Sequence, residues 1–519
     1  MSLSPKPAKR LRVELDLSNV GKSNFESYSS SETQMILQAR ADALQQLEKL
    51  DLELQRQYIP ETVIEYEAVS AKVERFNIAL APHRKLPTEI WRHIFLLGSI
   101  DWGTTSIPYP YNPVVISQAA VSQVCSIWRQ IALSTSGVWN NVEILEAAAT
   151  WDVERLLYMI ELWFGRSGSS LISFRCELPD IVVKTLSLTQ YRFRKLDIVL
   201  TTDFVETLLK LPYKALIDLE ELCLQLHKAD GDFNIPLLTP PLRFPRLTYL
   251  NIPDGTHQNY WWLDMEAFEL PWNNLHYFYL GNANPLPFSS ILKILGQCTV
   301  LEELSVHMLE NDLEQSPAPL EVVNNTTLHA FFLTFVHEGD FHALVSNLRL
   351  PNLSRLCIAG DFVPWTDDID ELVIERFNLP RIKHLSVESV SEPFIPLTLL
   401  KSALCLEQLW LPDATVLTQE ILDGLSTGAL GPYLNHLCIP SRCNGDAMLD
   451  MIEARQMAAT EQKEQKDRGE LVDGSKPITL LKSVIFACHL ARSEQPELDR
   501  RIEVLKDVWK MEIEAMEVN

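Results

Sequence analysis

One spacing governs most of this sequence. The apolar hexad L-x-x-L-x-L, with conservative replacements, starts at Leu219, Leu247, Leu275, Leu301, Leu328, Leu353, Ile382, Leu406 and Leu434, at intervals of 28, 28, 26, 27, 25, 29, 24 and 28 residues. Weaker copies stand at Leu171, Phe193 and Leu481. Chance does not hold such a period. A repeat of this length is one small supersecondary unit copied along the chain, each copy burying its apolar face against the next. Within the hexad the apolar fourth and sixth positions are two residues apart, which is the period of a strand. The fold class this predicts is an α/β solenoid with a parallel sheet: fourth and sixth positions face the core, third and fifth positions face outward. Return segments such as Phe288 to Leu295 and Glu420 to Leu430 read as helical. The interval from Leu434 to Leu481, 47 residues, is too long for one unit. Its excess, a charged and apolar-poor insertion near 455–477, reads as a solvated loop or a helix extension. The amphipathic segment from Leu498 to Val518 is expected to cap the last repeat.

The remaining composition excludes several classes. With 46% apolar and 22% charged residues the chain is ordinary globular material, and its 519 residues allow about three domains. A formal net charge of −24 argues against a general nucleic-acid binder, which needs a basic footprint. No apolar stretch approaches the roughly 18 residues that span a bilayer, and MSLSPKPAKRLRVELDLS lacks the apolar region of a secretory signal. Nine cysteines without a CxxC suit a reducing cytoplasm or nucleus and provide no disulfide or zinc framework. The triplet Asn325-Thr326-Thr327 therefore carries no glycosylation meaning.

Four stretches follow. Residues 1–31 are polar and Ser-rich and read as a disordered tail; its cluster Lys6, Lys9, Arg10 and Arg12 reads as solvated charge rather than as a nuclear address. Residues 32–83 turn helical. Leu37, Leu44, Leu47 and Leu54 fall on a and d positions of an imperfect heptad, Pro60 interrupts it, and a second segment runs through Val63, Tyr66, Val73 and Phe76. A helical hairpin or strut is favoured over a self-associating coiled coil. Residues 84–145 form a compact helical segment, and residues 146–519 hold the repeats.

The segment 84–145 reads RKLPTEIWRHIF, then a Pro-rich interruption, then VSQVCSIWRQIALSTSGVWNNVEI. Pro87 suits the first turn of a helix. Ile90, Ile94, Phe95 and Leu97 make one apolar stripe; Val121, Val124, Cys125, Trp128, Ile131 and Ala132 make a second. Pro108, Pro110 and Pro113 forbid a continuous helix between them. A unit this small with so much apolar face expects a partner.

These motifs resemble the F-box, in the version carried by large families of basidiomycete fungal F-box proteins, over about 60 of the 519 residues. One departure is the interval Gly98 to Ser117, longer than the usual spacer, which puts the middle helix in question. The resemblance implies docking on the Skp adaptor of an SCF ubiquitin ligase, and through it on a cullin scaffold. The matching positions are Leu86, Pro87, Ile90, Ile94, Val124, Cys125 and Trp128. The repeat period lies within or beside the 20–29 residues of leucine-rich repeats, without their usual Asn after the strand, and so resembles the irregular repeats common in F-box proteins. The implied function is substrate recruitment to the ligase; the alternative is a protein-binding scaffold that uses the array without a ligase.

Catalytic patterns are absent. There is no GxxxxGK[ST], GxSxG or HExxH, and neither a cofactor nor a metal is expected. Asp367, Asp368 and Asp370 lack the Gly and distal Glu of a calcium loop and read as a solvated acidic loop. Cys438 and Cys443 near His436 are explained by the repeat, since Cys438 fills the slot of Cys223 and Cys357. For the client, the outward positions Tyr249, Tyr277, Tyr279, Phe332 and Trp410 stand out, because aromatic side chains dominate protein interfaces. The net acidity favours a basic client segment.

Overall fold

A computed structural model describes residues 28–81, 86–101, 105–106, 117–144, 152–188, 190–201, 213–227, 242–253, 268–281, 285–308, 321–335, 341–360, 365–388, 393–468, 477–488 and 495–517, with Leu17, Val20, Val363 and Val390. Nearly all of the N-terminal tail with its basic cluster, the prolines at 108, 110 and 113, and the end of the charged insertion lie outside them. The chain divides into two compact units, Met1–Ser173 and Phe174–Asn519, so the division falls inside a strand rather than at residue 145.

The first unit opens with a hairpin of α1 (Ser30–Arg56) and α2 (Pro60–Leu80). A capping box starts α1: the backbone N–H of Ser29 donates to Glu32 (2.7 Å) while that of Glu32 donates to the Ser29 hydroxyl (3.3 Å). Pro60 takes the first turn of α2, where its missing N–H is no loss. The seam is heptad-spaced but one residue away from the expected register. Ile36, Ala43 and Leu50 are buried against Val69, Val73, Phe76 and Ala79, with Leu47 partly so, whereas Leu37 and Leu44 are 42% and 41% exposed. The small Ala43 at the centre of the seam suits the close approach of the antiparallel partner.

Next come α3 (Thr88–Asp101), α4 (Ser117–Val124) and α5 (Ser126–Ser134). The stripe expected to run unbroken from Val121 to Ala132 is broken at Cys125, which is extended and caps α5 by accepting the N–H of Trp128 (3.4 Å). A short strand β1 (Thr105–Ser106) pairs in parallel with β2 (Asn141–Ile144), and α6 (Val153–Ser167) follows with Asp152 as its cap. Trp139 is buried; its indole N–H donates to the Ala132 carbonyl (2.8 Å), and the Arg166 guanidinium lies 4.5 Å from its ring. Strand β3 (Ile172–Cys176) carries the division between the units.

The second unit is a ladder of parallel strands. In chain order they are β4 (Phe193–Thr201), β5 (Glu221–His227), β6 (Leu242–Arg243), β7 (Tyr249–Ile252), β8 (Phe268–Glu269) and β9 (Tyr277–Leu280). Then follow β10 (Glu303–Met308), β11 (Val323–Asn324), β12 (Ala330–Phe335), β13 (Leu348–Arg349), β14 (Arg355–Gly360) and β15 (His384–Val387). The series ends with β16 (Gln408–Trp410), β17 (His436–Cys443), β18 (Ser483–Cys488) and β19 (Glu512–Glu517). Apart from the two small pairs β6–β8 and β11–β13, each strand lies beside the next in sequence, the topology of a solenoid.

Register aligns the repeats position for position. Leu222, Leu250, Phe278, Leu304, Phe331, Leu356, Leu385, Leu409 and Leu437 stand opposite one another across successive strands. All are buried, as are the leading residues Leu219 through Leu434. Helices Phe288–Gln297 and Gln419–Ser426 occupy two of the returns, as their spacing predicts.

One local reading is corrected, and two are made specific. The segment Asp367–Arg376 is a helix, and Asp370 is only 6% exposed because it accepts the indole N–H of Trp365 (2.6 Å). The charged insertion is, through Asp467, the continuation of one helix, Gly445–Asp467, with Arg455 and Gln456 buried. The C-terminal segment is a helix, Gln495–Trp509, followed by β19, which adds a strand to the sheet. Period-3.6 patterning in its first half and period-2 patterning in its second had read together as one amphipathic cap.

Candidate functional site

Two surfaces, one in each unit, carry the residues singled out by the sequence. In the first, α3 packs on α4 and α5 through an aromatic knot. Trp91 and Phe95 lie 5.7 Å apart, and Trp128 sits 4.5 Å from Trp91 and 5.2 Å from Phe95. Trp128 is thus half-buried in the knot, and Cys125 is a helix cap. With the knot closed by these three rings, the other face of α3 is left over. Leu86, Ile90, Ile94 and Leu97 are exposed, as are Val124 and Ile127, and Ile90 and Val124 reach 45% and 57%. Pro87 is exposed at the start of the same face. So of the seven positions expected at an adaptor interface, five present solvent-facing surface and two hold the scaffold beneath it. Apolar side chains grouped this way are uncommon on a surface without a partner.

In the second unit, the outward third and fifth positions form a continuous sheet face. Tyr249, Tyr277 and Tyr279 cluster on β7 and β9: the Tyr249 ring is 6.1 Å from Tyr277 and 5.6 Å from Tyr279. Their hydroxyls are fixed by carboxylates, Tyr277 donating to Glu302 (3.2 Å) and Tyr279 to Glu303 (2.6 Å). Burial, then the hydrogen bond to Glu303, raises the Tyr279 phenol. Glu302 also takes a hydrogen bond from His276 (2.8 Å), which holds its carboxyl below the usual range.

Phe332 and Trp410 lie elsewhere on the face. They line a groove of about 320 Å³ with Arg355, His384, His436 and Cys438. Trp410 is 45% exposed, and the Arg355 guanidinium stands 6.0 Å from the Phe332 ring. The structure therefore splits the five aromatic positions into a tyrosine cluster and a separate groove. Cys438 departs from the outward column: it is 5% exposed, because its strand neighbours Trp410 and Ile485 shield the small side chain from both sides.

Burial pushes the Cys223 thiol up to about 12 and the Cys438 thiol up to about 11, so neither is an activated nucleophile. Among the described residues no group of three or more His, Cys, Asp or Glu side chains is placed to hold a metal ion. No described helix is long and apolar enough to cross a membrane. No family model and no curated protein matches this chain.

Proposed function

We propose that this chain is the substrate-recognition subunit of an SCF-type ubiquitin ligase. Its F-box-like unit docks on a Skp adaptor, and its leucine-rich-repeat-like array captures a client protein. The observation that carries this reading is the apolar face of Leu86, Ile90, Ile94, Leu97, Val124 and Ile127, left exposed by helices already closed over the Trp91–Phe95–Trp128 knot. In this reading transfer chemistry belongs to other subunits, and the chain supplies proximity and orientation.

The test is capture of purified Skp adaptor by the full chain. Ile90→Asp with Val124→Asp places two charges on the docking face and none in the knot. Adaptor affinity is expected to fall by at least tens-fold, since lost interface anchors cost roughly 2 kcal/mol or more each, while the melting temperature holds. Wild-type chain that fails to bind adaptor at micromolar concentration refutes the ligase reading.

A further inference from the structure

The two halves of the sheet face differ in the charged side chains they present: carboxylates at the tyrosine cluster, a guanidinium in the groove. At the tyrosine cluster, Glu302 and Glu303 supply carboxylates, and nearby Lys195 is already paired with Glu221 (2.8 Å). Around the Phe332–Trp410 groove the lining includes Arg355, His384 and His436 and no carboxylate. Arg355 has no ion-pair partner among the described residues, the flanking Lys383 and Glu407 pair with each other at 2.8 Å, and Glu388 stands beside the groove within electrostatic reach of Cys357. Glu514 marks the far limit of the groove, adding to the effect of burial in raising the Cys438 thiol. The overall charge of −24 thus hides a guanidinium without an ion-pair partner among the described residues.

The ladder sets the distance between the zones. From Tyr279 on β9 to Trp410 on β16 the strand order passes β10, β12, β14 and β15. Five steps of about 4.8 Å make about 24 Å, the span of about seven residues of extended chain. Tyrosine faces flanked by carboxylates suit Lys or Arg by cation–π attraction and charge. The groove suits a carboxylate beside an apolar side chain that packs on Trp410.

We infer that the array binds a charge-polarised linear peptide, laid across the strands with a basic end on Tyr249, Tyr277 and Tyr279 and an acidic, apolar-anchored end at Arg355 and Trp410. The inference rests on the proposal that the array is the client-binding half of the chain. It replaces a uniformly basic client with one whose basic and acidic segments lie about three to seven residues apart.

The experiment is selection of displayed random dodecapeptides on the purified full chain. Enrichment of one N-to-C charge order is expected, with anisotropy affinities falling at least tenfold when the same residues are scrambled. Charge exchange by Glu303→Lys with Arg355→Glu should invert the enriched order. Both side chains reach solvent, but if the exchange unfolds the chain, Glu303→Gln and Arg355→Gln singly should each weaken the polarised peptide several-fold and flatten its salt dependence. Enrichment of uniformly charged peptides, an order unmoved by the exchange, or no enrichment at all overturns the inference. Adaptor capture measured on the same preparation decides the ligase proposal separately.

Discussion

Replacing Arg455 by Met should destabilise the array out of proportion to the residue's place in a charged run. Arg455 is 0% exposed and has no carboxylate beside it. Its guanidinium donates instead to backbone carbonyls of Leu425 (2.8 Å), Gly431 (2.7 Å), Leu434 (3.2 Å), Pro432 and Thr479 (both 3.3 Å). One of these carbonyls lies at the C-terminal end of helix Gln419–Ser426, where a cation meets the negative pole of the helix. Desolvation lowers the guanidinium to about 10, so it stays charged at neutral pH. That shift costs roughly 3 kcal/mol. Three good charged hydrogen bonds return about 1.5–3 kcal/mol each, leaving a net gain of a few kcal/mol. In Arg455→Met the stem is replaced but the carbonyls lose their donor. Several keep a second bond, as Gly431 does from the Leu434 N–H and Pro432 from the Thr479 N–H, which holds the loss to about 3–4 kcal/mol. Arg455→Lys should recover less than half, since one ammonium cannot span the fork. Urea unfolding followed by circular dichroism gives the free energy, and hydrogen exchange at residues 425–434 and 479–486 locates it. A loss under about 1 kcal/mol with unchanged exchange would mean that the guanidinium is not what joins these turns.

Three further outcomes are expected. Leu304→Ala should cost about 2–5 kcal/mol through lost burial and a cavity, and Glu303→Ala, one position earlier on the outward face, about 1 through the lost hydrogen bond to Tyr279; equal losses in urea titrations would refute the strand register. Burial pushes the Asp370 carboxyl up to about 6 from 3.8. The folded state therefore prefers the proton, and this contribution is full below pH 3.8 and lost as pH rises through 6. Asp370→Asn keeps an acceptor for Trp365, so the variant should exceed wild type by up to about 3 kcal/mol at pH 7.5, the difference closing below pH 4; a constant difference across that range would exclude ionisation as its source. Gly360 has φ +135°, and a Cβ there would lie 2.6 Å from the Phe335 carbonyl oxygen. Gly360→Ala should cost at least about 2 kcal/mol, and a thermal midpoint equal to wild type would contradict the strained geometry.

What was legible in the sequence was whatever repeats. The fourth-position column Leu222 to Leu437 could be placed because strand period and repeat period agree at every copy. The outward face followed from it by parity alone. Local signals that compete with a pattern were harder. Ile36, Ala43 and Leu50 make the hairpin seam, but a small Ala carries little weight in a search for leucines, so the register shifted by one toward Leu37 and Leu44. Cys125 is no usual N-cap, so a helix break there was invisible. Burial of a polar side chain on its own hydrogen-bond partners leaves no periodic trace, which hid Arg455 on backbone carbonyls and Asp370 on the Trp365 indole. The same holds for Asn274, Asn352 and Asn378, whose side-chain amides donate to the carbonyls of Pro245, Thr326 and Pro351 in the preceding repeat. Asparagine falling just ahead of a strand start, at a period near that of the leucines, was the available signal. It was missed because the usual asparagine position follows the strand.

The last strand, β19, has consequences for how the molecule behaves in a crowded solution. It ends the strand order, so among the described residues one of its flanks has no strand against it. A free flank of backbone donors and acceptors is a template on which another chain's strand can polymerise. Here the outward side chains are Glu512 and Glu514, both exposed. A second copy pairing its own β19 antiparallel about Ile513 would bring Glu512 of each chain opposite Glu514 of the other, to within about 5 Å, a strand spacing, at a cost of about 1 kcal/mol per pair even in water-like surroundings. Among the described residues, the strand whose flank is open therefore carries its own like-charge repulsion, and edge-to-edge pairing of two copies there is opposed by the sequence of the strand itself.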